Sequence, residues 1–161
     1  RVSGVREMNR IKTVLLSIML FVFFLSGCSG SSEQSILFSV GTGDNIRVTL
    51  DTSDGLVLKQ TESGYAVTSE GTEVIQSFFV EEAVYEQYVS AVREQAGVTV
   101  NEEKTAGGLN YICYSYSGEA GQENNVIGWI EGSSTGVVIA SLSDLQTVQD
   151  ALEHLSFTKE Q

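Results

Sequence analysis

"EVIQSFFVEEAVYEQYVSAVREQ", residues 73–95, changes its hydrophobic period midway, and that change sets the fold class. Up to Val80 the residues are largely β-branched and aromatic, in a run of strand length. From Glu81 onward Val84, Tyr85, Tyr88, Val89 and Val92 recur at helical spacing, with Glu86, Gln87, Arg93 and Glu94 mostly opposite. Glu81 and Glu82 fall in the first turn, where the positive end of the helix dipole favours carboxylates, and Gly97 suits a stop. The spacing predicts a strand over 73–80 and a helix over 81–96.

Upstream lie four more runs of strand length: "SILFSV" (35–40), "NIRVTL" (45–50), "GLVLKQ" (55–60) and "GYAVTS" (64–69). The stretches between them, "GTGD", "DTSDG", "TES" and "EGT", carry the Gly, Asp and Ser that tight turns require. In the second run Ile46, Val48 and Leu50 alternate with Arg47, Thr49 and Asp51, so one face is buried and one wet. An antiparallel meander of about five strands follows. Downstream, "VTVNE" (98–102), "NYICYSYS" (110–117), "NVIGWIE" (125–131) and "GVVIASL" (136–142) read as four further strands. A last helix starts at Ser143, with Gln146 at capping-box spacing and an apolar stripe of Leu145, Val148, Leu152 and Leu155. The expectation is one α+β domain over residues 36–158, ordered as five strands, helix, four strands, helix.

That order, closing on "ALEHLSF" (151–157), resembles the PsbP-like domain of photosystem accessory subunits and many small bacterial lipoproteins. The resemblance implies an α/β/α sandwich and a non-enzymatic binding or assembly-factor role. It carries no functional residue over, because no motif here matches one.

The N-terminal segment "MNRIKTVLLSIMLFVFFLSGC" (8–28) has a basic start at Arg10 and Lys12, then an apolar run from Val14 to Leu25. The run is too short for an ordinary spanning helix of roughly 20 residues and has the layout of a secretory signal. Leu25-Ser26-Gly27-Cys28 resembles a bacterial lipobox. The resemblance implies cleavage before Cys28, a diacylglycerol on its thiol and a further acyl chain, such as palmitate, on the new amino group. Several acyl chains, at about 0.8 kcal/mol per buried methylene, hold a chain on a membrane far more firmly than one does. Residues 1–7 then precede the natural start, 8–27 are the signal peptide, and 28–35 are a flexible tether. Past Cys28, the seven residues "SGSSEQS" (29–35) span roughly 15 Å on average. The expected location is the outer side of a cell membrane, extracellular or periplasmic.

The full chain has a formal charge of −12. The leader before Cys28 holds four of the nine basic residues and one of the 21 acidic ones, so the remaining 134 residues carry −15. Such an excess excludes nucleic acid as partner, because that affinity comes from Lys and Arg neutralising phosphates. With Cys28 acylated, Cys113 has no partner within the chain, and with His154 the sole histidine the usual Cys/His zinc sites are excluded. No metal or other cofactor is expected.

The remaining candidates are few. His154 lies near a helix C-terminus with no nucleophile motif beside it. Glu81–Glu82, Glu102–Glu103 and Asp51 with Asp54 could serve a glycan or peptide hydrolase as a carboxylate pair, or could be solvated charge. "GTGD" (41–44) and "GSSTG" (132–136) run from strand to strand, so they read as turns rather than phosphate cradles. In "NYICYSYS" the residues Ile112, Tyr114 and Tyr116 share one face while Tyr111, Cys113 and Ser115 share the other. Tyr114 and Tyr116, with Trp129 from the next strand, are either core or a flat platform for a sugar ring, peptide or other ligand. The expected role is a lipid-anchored, non-catalytic binding or accessory module for an unknown protein or small ligand. An envelope hydrolase and a surface-exposed spacer or antigen are the alternatives.

Overall fold

Period-2 alternation does place Ile46, Val48 and Leu50 together, and all three are fully buried. The computed structural model describes residues 32–161; the signal segment, Cys28 and the start of the tether lie outside them. In chain order the described residues form β1 (Glu33–Ser39), β2 (Asn45–Asp51), β3 (Leu56–Gln60), β4 (Tyr65–Ser69), β5 (Thr72–Val80), α1 (Glu82–Glu94), β6 (Thr99–Ala106), β7 (Leu109–Gly118), β8 (Gly121–Ile130), β9 (Gly136–Ala140), α2 (Leu145–Glu153) and β10 (Leu155–Glu160). Every strand pair is antiparallel, and the two helices make the fold α+β.

The first five strands do not form one meander. β1 and β2 join β10 in a three-stranded sheet, while the other seven strands run in the order β3-β4-β5-β9-β8-β7-β6. The reason is burial on both faces of the larger sheet. On one face, Leu58, Tyr65, Val67, Ile75, Tyr111, Cys113, Val126 and Ile139 need a cover. The small sheet supplies Phe38, Ile46, Val48, Leu50 and Phe157, and α2 adds Val148, Ala151 and Leu152. On the other face Val80, Ile112, Tyr114, Ile127 and Val138 pack beneath α1.

The expected last helix is shorter than its apolar stripe. α2 ends at Glu153, and Leu155 opens a strand the sequence did not disclose. Leu155 lies three residues past Leu152 but also two before Phe157, so it fits either period. The strand prevails because pairing Leu155 with Leu50 and Phe157 with Val48 sends both side chains into the core between the sheets. The helix start also moves. Asp144, not Ser143, is the N-cap, its carboxylate accepting from Thr147 N–H, while Gln146 turns to Asp150. The Ser143 carbonyl is engaged instead by Asn124 Nδ2 at 2.8 Å. At the front, β1 begins at Glu33, so the last three residues of the expected tether are already strand, and the domain runs past residue 158 to Glu160.

Two features lock the small sheet onto the large one. The β6–β7 hairpin turns through Gly107 and Gly108 alone, with φ +59° and +75°, the two positive values a two-residue turn of this hand demands. A Cβ at Gly107 would overlap the Leu155 carbonyl, and one at Gly108 the Phe157 carbonyl. Phe157 N–H donates to the Gly107 carbonyl at 2.7 Å. The other lock joins the two glycine-containing turns. Thr42 and Thr135 hydroxyls lie 2.6 Å apart, and the Asp44 carboxylate accepts from Ser134 N–H at 2.7 Å and Thr135 Oγ1 at 2.8 Å. Its other oxygen meets Lys159 Nζ at 2.8 Å. The Lys159 hydrogen bond, followed by that from Ser134, holds the Asp44 carboxyl down at about 2.

Gly108→Ala should lower stability by about 2 kcal/mol or more, from steric overlap plus a left-handed backbone, measured as the midpoint of urea unfolding. Asp44→Asn should cost about 1–3 kcal/mol. Because the folded carboxyl sits below its unfolded value, the wild-type contribution is present above pH ~4 and fades as pH falls toward ~2. The gap between wild type and Asp44→Asn should therefore shrink in acid, as thermal melts at pH 7 and pH 3 would show.

Candidate functional site

Strand parity decides what faces α1. On β7, Ile112, Tyr114 and Tyr116 point toward the helix and Tyr111 and Cys113 toward the other core, as alternation requires. On α1 the predicted stripe of Val84, Tyr85, Tyr88, Val89 and Val92 packs down on that face. The helix therefore covers the face that the sequence offers as a flat platform. Tyr114 is 5% exposed and belongs to the core beneath α1. Trp129 lies on the same side of the sheet, paired across with Asn110, but packs against Tyr85 with ring centroids 4.9 Å apart. Tyr114 and Tyr116 stand together, their rings nearly parallel at 6.4 Å. Trp129 does not join them.

A cleft of about 220 Å³ stays open beside the C-terminal half of α1, lined by Tyr88, Ala91, Val92, Gln95, Val98, Tyr114 and Tyr116. A second, more polar cavity of about 390 Å³ opens along α1 among Tyr85, Val89, Arg93, Glu103, Lys104 and Asn110, where the Arg93–Glu103 pair fills the rim. Sequence reasoning found two of the first cleft's residues and missed the helix contribution. The signal was there: 88, 91, 92 and 95 follow the i, i+3, i+4, i+7 rule of one helix face, and Val98 lies just after the turn at Gly97.

Next to the lining, Tyr116 is tied into a short chain of polar groups. Tyr116 and Glu123 are cross-strand partners on β7 and β8, and the phenol donates to Glu123 Oε2 at 2.6 Å. Asn125, opposite Tyr114, donates its amide to the same oxygen at 3.2 Å. Hydrogen bonding to Glu123 raises the Tyr116 pKa, and burial pushes that of Tyr114 up to about 12. Both phenols are neutral at physiological pH, so the cleft offers aromatic surface and hydrogen bonds rather than a nucleophile or base.

The other candidates are placed as follows. Glu103 is held by Arg93 in a bidentate pair at 2.9 and 3.0 Å, while Glu102 approaches the Tyr111 hydroxyl at 3.4 Å. Adjacent on a strand, they serve different neighbours. Asp51 caps the backbone N–H of Ser53 at 2.9 Å in the turn between β2 and β3. Asp54, from that turn, meets His154 Nε2 at 3.0 Å, and His154 Nδ1 faces the Asp150 carbonyl at 2.8 Å. Both ring nitrogens thus face acceptors, an arrangement that only the imidazolium satisfies. Its pKa is accordingly raised, first by the Asp150 carbonyl. His154 is a latch between the end of α2 and the β2–β3 turn, not a free base. Cys113 is fully buried, and burial pushes its thiol up to about 11. Among the described residues no three His, Cys, Asp or Glu side chains gather as a metal site, and no helix is long and apolar enough to cross a membrane.

The latch has a pH signature. A raised folded pKa gives stability that is complete below about 6.5 and is lost as pH rises through the folded value. The melting temperature of wild type relative to His154→Asn should therefore be higher at pH 6 than at pH 9; an equal difference at both would show that the ring is not held charged.

Comparison with protein-family models, with curated proteins and with solved structures gives no match to this chain.

Proposed function

We propose that this chain is a lipid-anchored, extracytoplasmic binding or accessory module, non-catalytic, tethered through acylated Cys28 and engaging its ligand or partner at the α1–β7 cleft. The observation that carries the binding part is the cleft itself, where Tyr88 and Tyr116 stand partly open, with buried Tyr114 and the Gln95 amide completing the lining. The lipobox-like Leu25-Ser26-Gly27-Cys28 supports the anchoring part. A PsbP-like sandwich fits the placement of α1 and α2 on opposite faces of the seven-stranded sheet. A carboxylate-pair hydrolase needs two acids converging on one pocket, about 5–10 Å apart. Here Glu103 is committed to Arg93, Asp51 to a turn and Asp54 to His154, which favours the binding reading.

Crosslinking in intact cells tests both parts together. Wild type should incorporate labelled palmitate, fractionate with membranes and capture one specific neighbour, whereas Cys28→Ser should lose the label and the membrane fraction. Tyr88→Ala, which opens the cleft wall, should keep the anchor and reduce the captured neighbour at least several-fold. A membrane-bound Cys28→Ser protein would overturn the anchor, and undiminished capture by Tyr88→Ala would move binding away from the cleft.

A further inference from the structure

We propose that the α1–β7 cleft takes a small quaternary ammonium group, held by the rings of Tyr88, Tyr114 and Tyr116 with Glu123 as counter-charge. This rests on the reading of the cleft as the binding site and names the chemistry of what it binds.

Size comes first. At about 220 Å³ the cleft is smaller than the ~300–1,000 Å³ pockets that enclose drug-sized molecules, so it suits one compact head group. A sphere of that volume has a radius of roughly 4 Å, which keeps a central cation within the ~6 Å over which aromatic faces attract it. Charge comes second. Among the described residues, four of the five Lys and Arg side chains are already paired within the chain, as Arg47–Glu160, Arg93–Glu103, Lys104–Glu102 and Lys159–Asp44. The carboxylates far outnumber them, so the surroundings favour a cation and oppose an anion.

The third argument is local. Tyr116 donates to Glu123 Oε2 at 2.6 Å, a short charge-assisted bond. Donating to an anion moves electron density into the phenol ring and strengthens its attraction for a cation. The Asn125 amide on the same oxygen fixes the carboxylate beside the ring. A quaternary ammonium carries no N–H, so it needs none of the hydrogen-bond acceptors that this wall already uses, and its methyl groups match Ala91, Val92 and Val98.

The test titrates choline chloride into the full chain in nonionic detergent, against sodium chloride at equal ionic strength, by calorimetry and by NMR of labelled tyrosine rings. Saturable binding is expected, with ring shifts at Tyr88, Tyr114 and Tyr116. Glu123→Gln retains an acceptor for Tyr116 but removes the charge, and should weaken binding about threefold to tenfold with little change in melting temperature. Tyr88→Ala should weaken it further. Tighter binding of glycerophosphocholine than of choline would support the same chemistry and identify a lipid head group as its source. The uncharged isostere 3,3-dimethylbutan-1-ol binding as tightly as choline would overturn the cation assignment while leaving the cleft a binding site. Tighter binding of N-acetyl-lysine amide would overturn it in favour of a basic peptide. If choline does not bind, the quaternary ammonium assignment is overturned; if Tyr88→Ala also leaves cellular crosslinking unchanged, the cleft itself is not the site.

Discussion

The six residues of β10 join the two sheets, and most of the architecture depends on their pairing. Along β2 they complete the small sheet, Leu155 against Leu50 and Phe157 against Val48. On their other side, Phe157 N–H bonds to the Gly107–Gly108 turn of the large sheet. Beyond them, Lys159 reaches Asp44 at the junction of two turns. Hydrophobic burial supplies the driving force, but it is non-directional. The hydrogen-bonded ladder, the glycine turn and the half-buried ion pair give it a unique register. Without β10, the apolar side of β2 would still need covering, and the contacts of Thr42 and Asp44 with Ser134 and Thr135 would be left to hold the small sheet in place.

The same economy of charge shapes the surface. Among the described residues Arg47, Arg93, Lys104 and Lys159 face carboxylates of their own chain, so of the five Lys and Arg side chains only Lys59 stands outside these pairs against the acidic excess. On the α1 side, the helix seals most of a face rich in aromatic residues and leaves a gap where it ends. Sealing keeps Tyr114 as core, and the gap makes Tyr88 and Tyr116 available. One helix thus leaves Tyr114 as the buried floor of the cleft and Tyr88 and Tyr116 as its more open walls.

Much of this was legible in the sequence, and what was not has a common cause. Period-2 alternation in "NIRVTL" and "NYICYSYS" assigned faces correctly, and the period change after Val80 located α1 within two residues at its far end. These are local signals, since neighbouring residues carry them. The division into two sheets is not local: β2 chooses β10 over β3, a choice made by burial across the core. Leu155 satisfies two periods at once, and only its partner Leu50 resolves them. The cleft follows the same rule. The tyrosines of β7 were visible as a face, but whether that face is platform or core depends on where α1 docks. The lipobox-like segment was the clearest motif in the chain, and Cys28 lies outside the described residues.

The pairing of β2 with β10 also has a temporal side. The hairpin of β1 and β2 is made early in synthesis, yet the strand that completes its sheet is separated from it by nearly the whole domain. Contacts so distant in sequence slow folding, because the chain must close a long loop before the pairing repays it. Until then Ile46, Val48 and Leu50 lie along an open strand edge, the kind of surface that recruits other chains. A ribosome stalled before Leu155 would therefore release a sticky hairpin rather than a nearly finished domain. The chain's vulnerability to aggregation is concentrated in the interval between emergence of its first strands and arrival of its last.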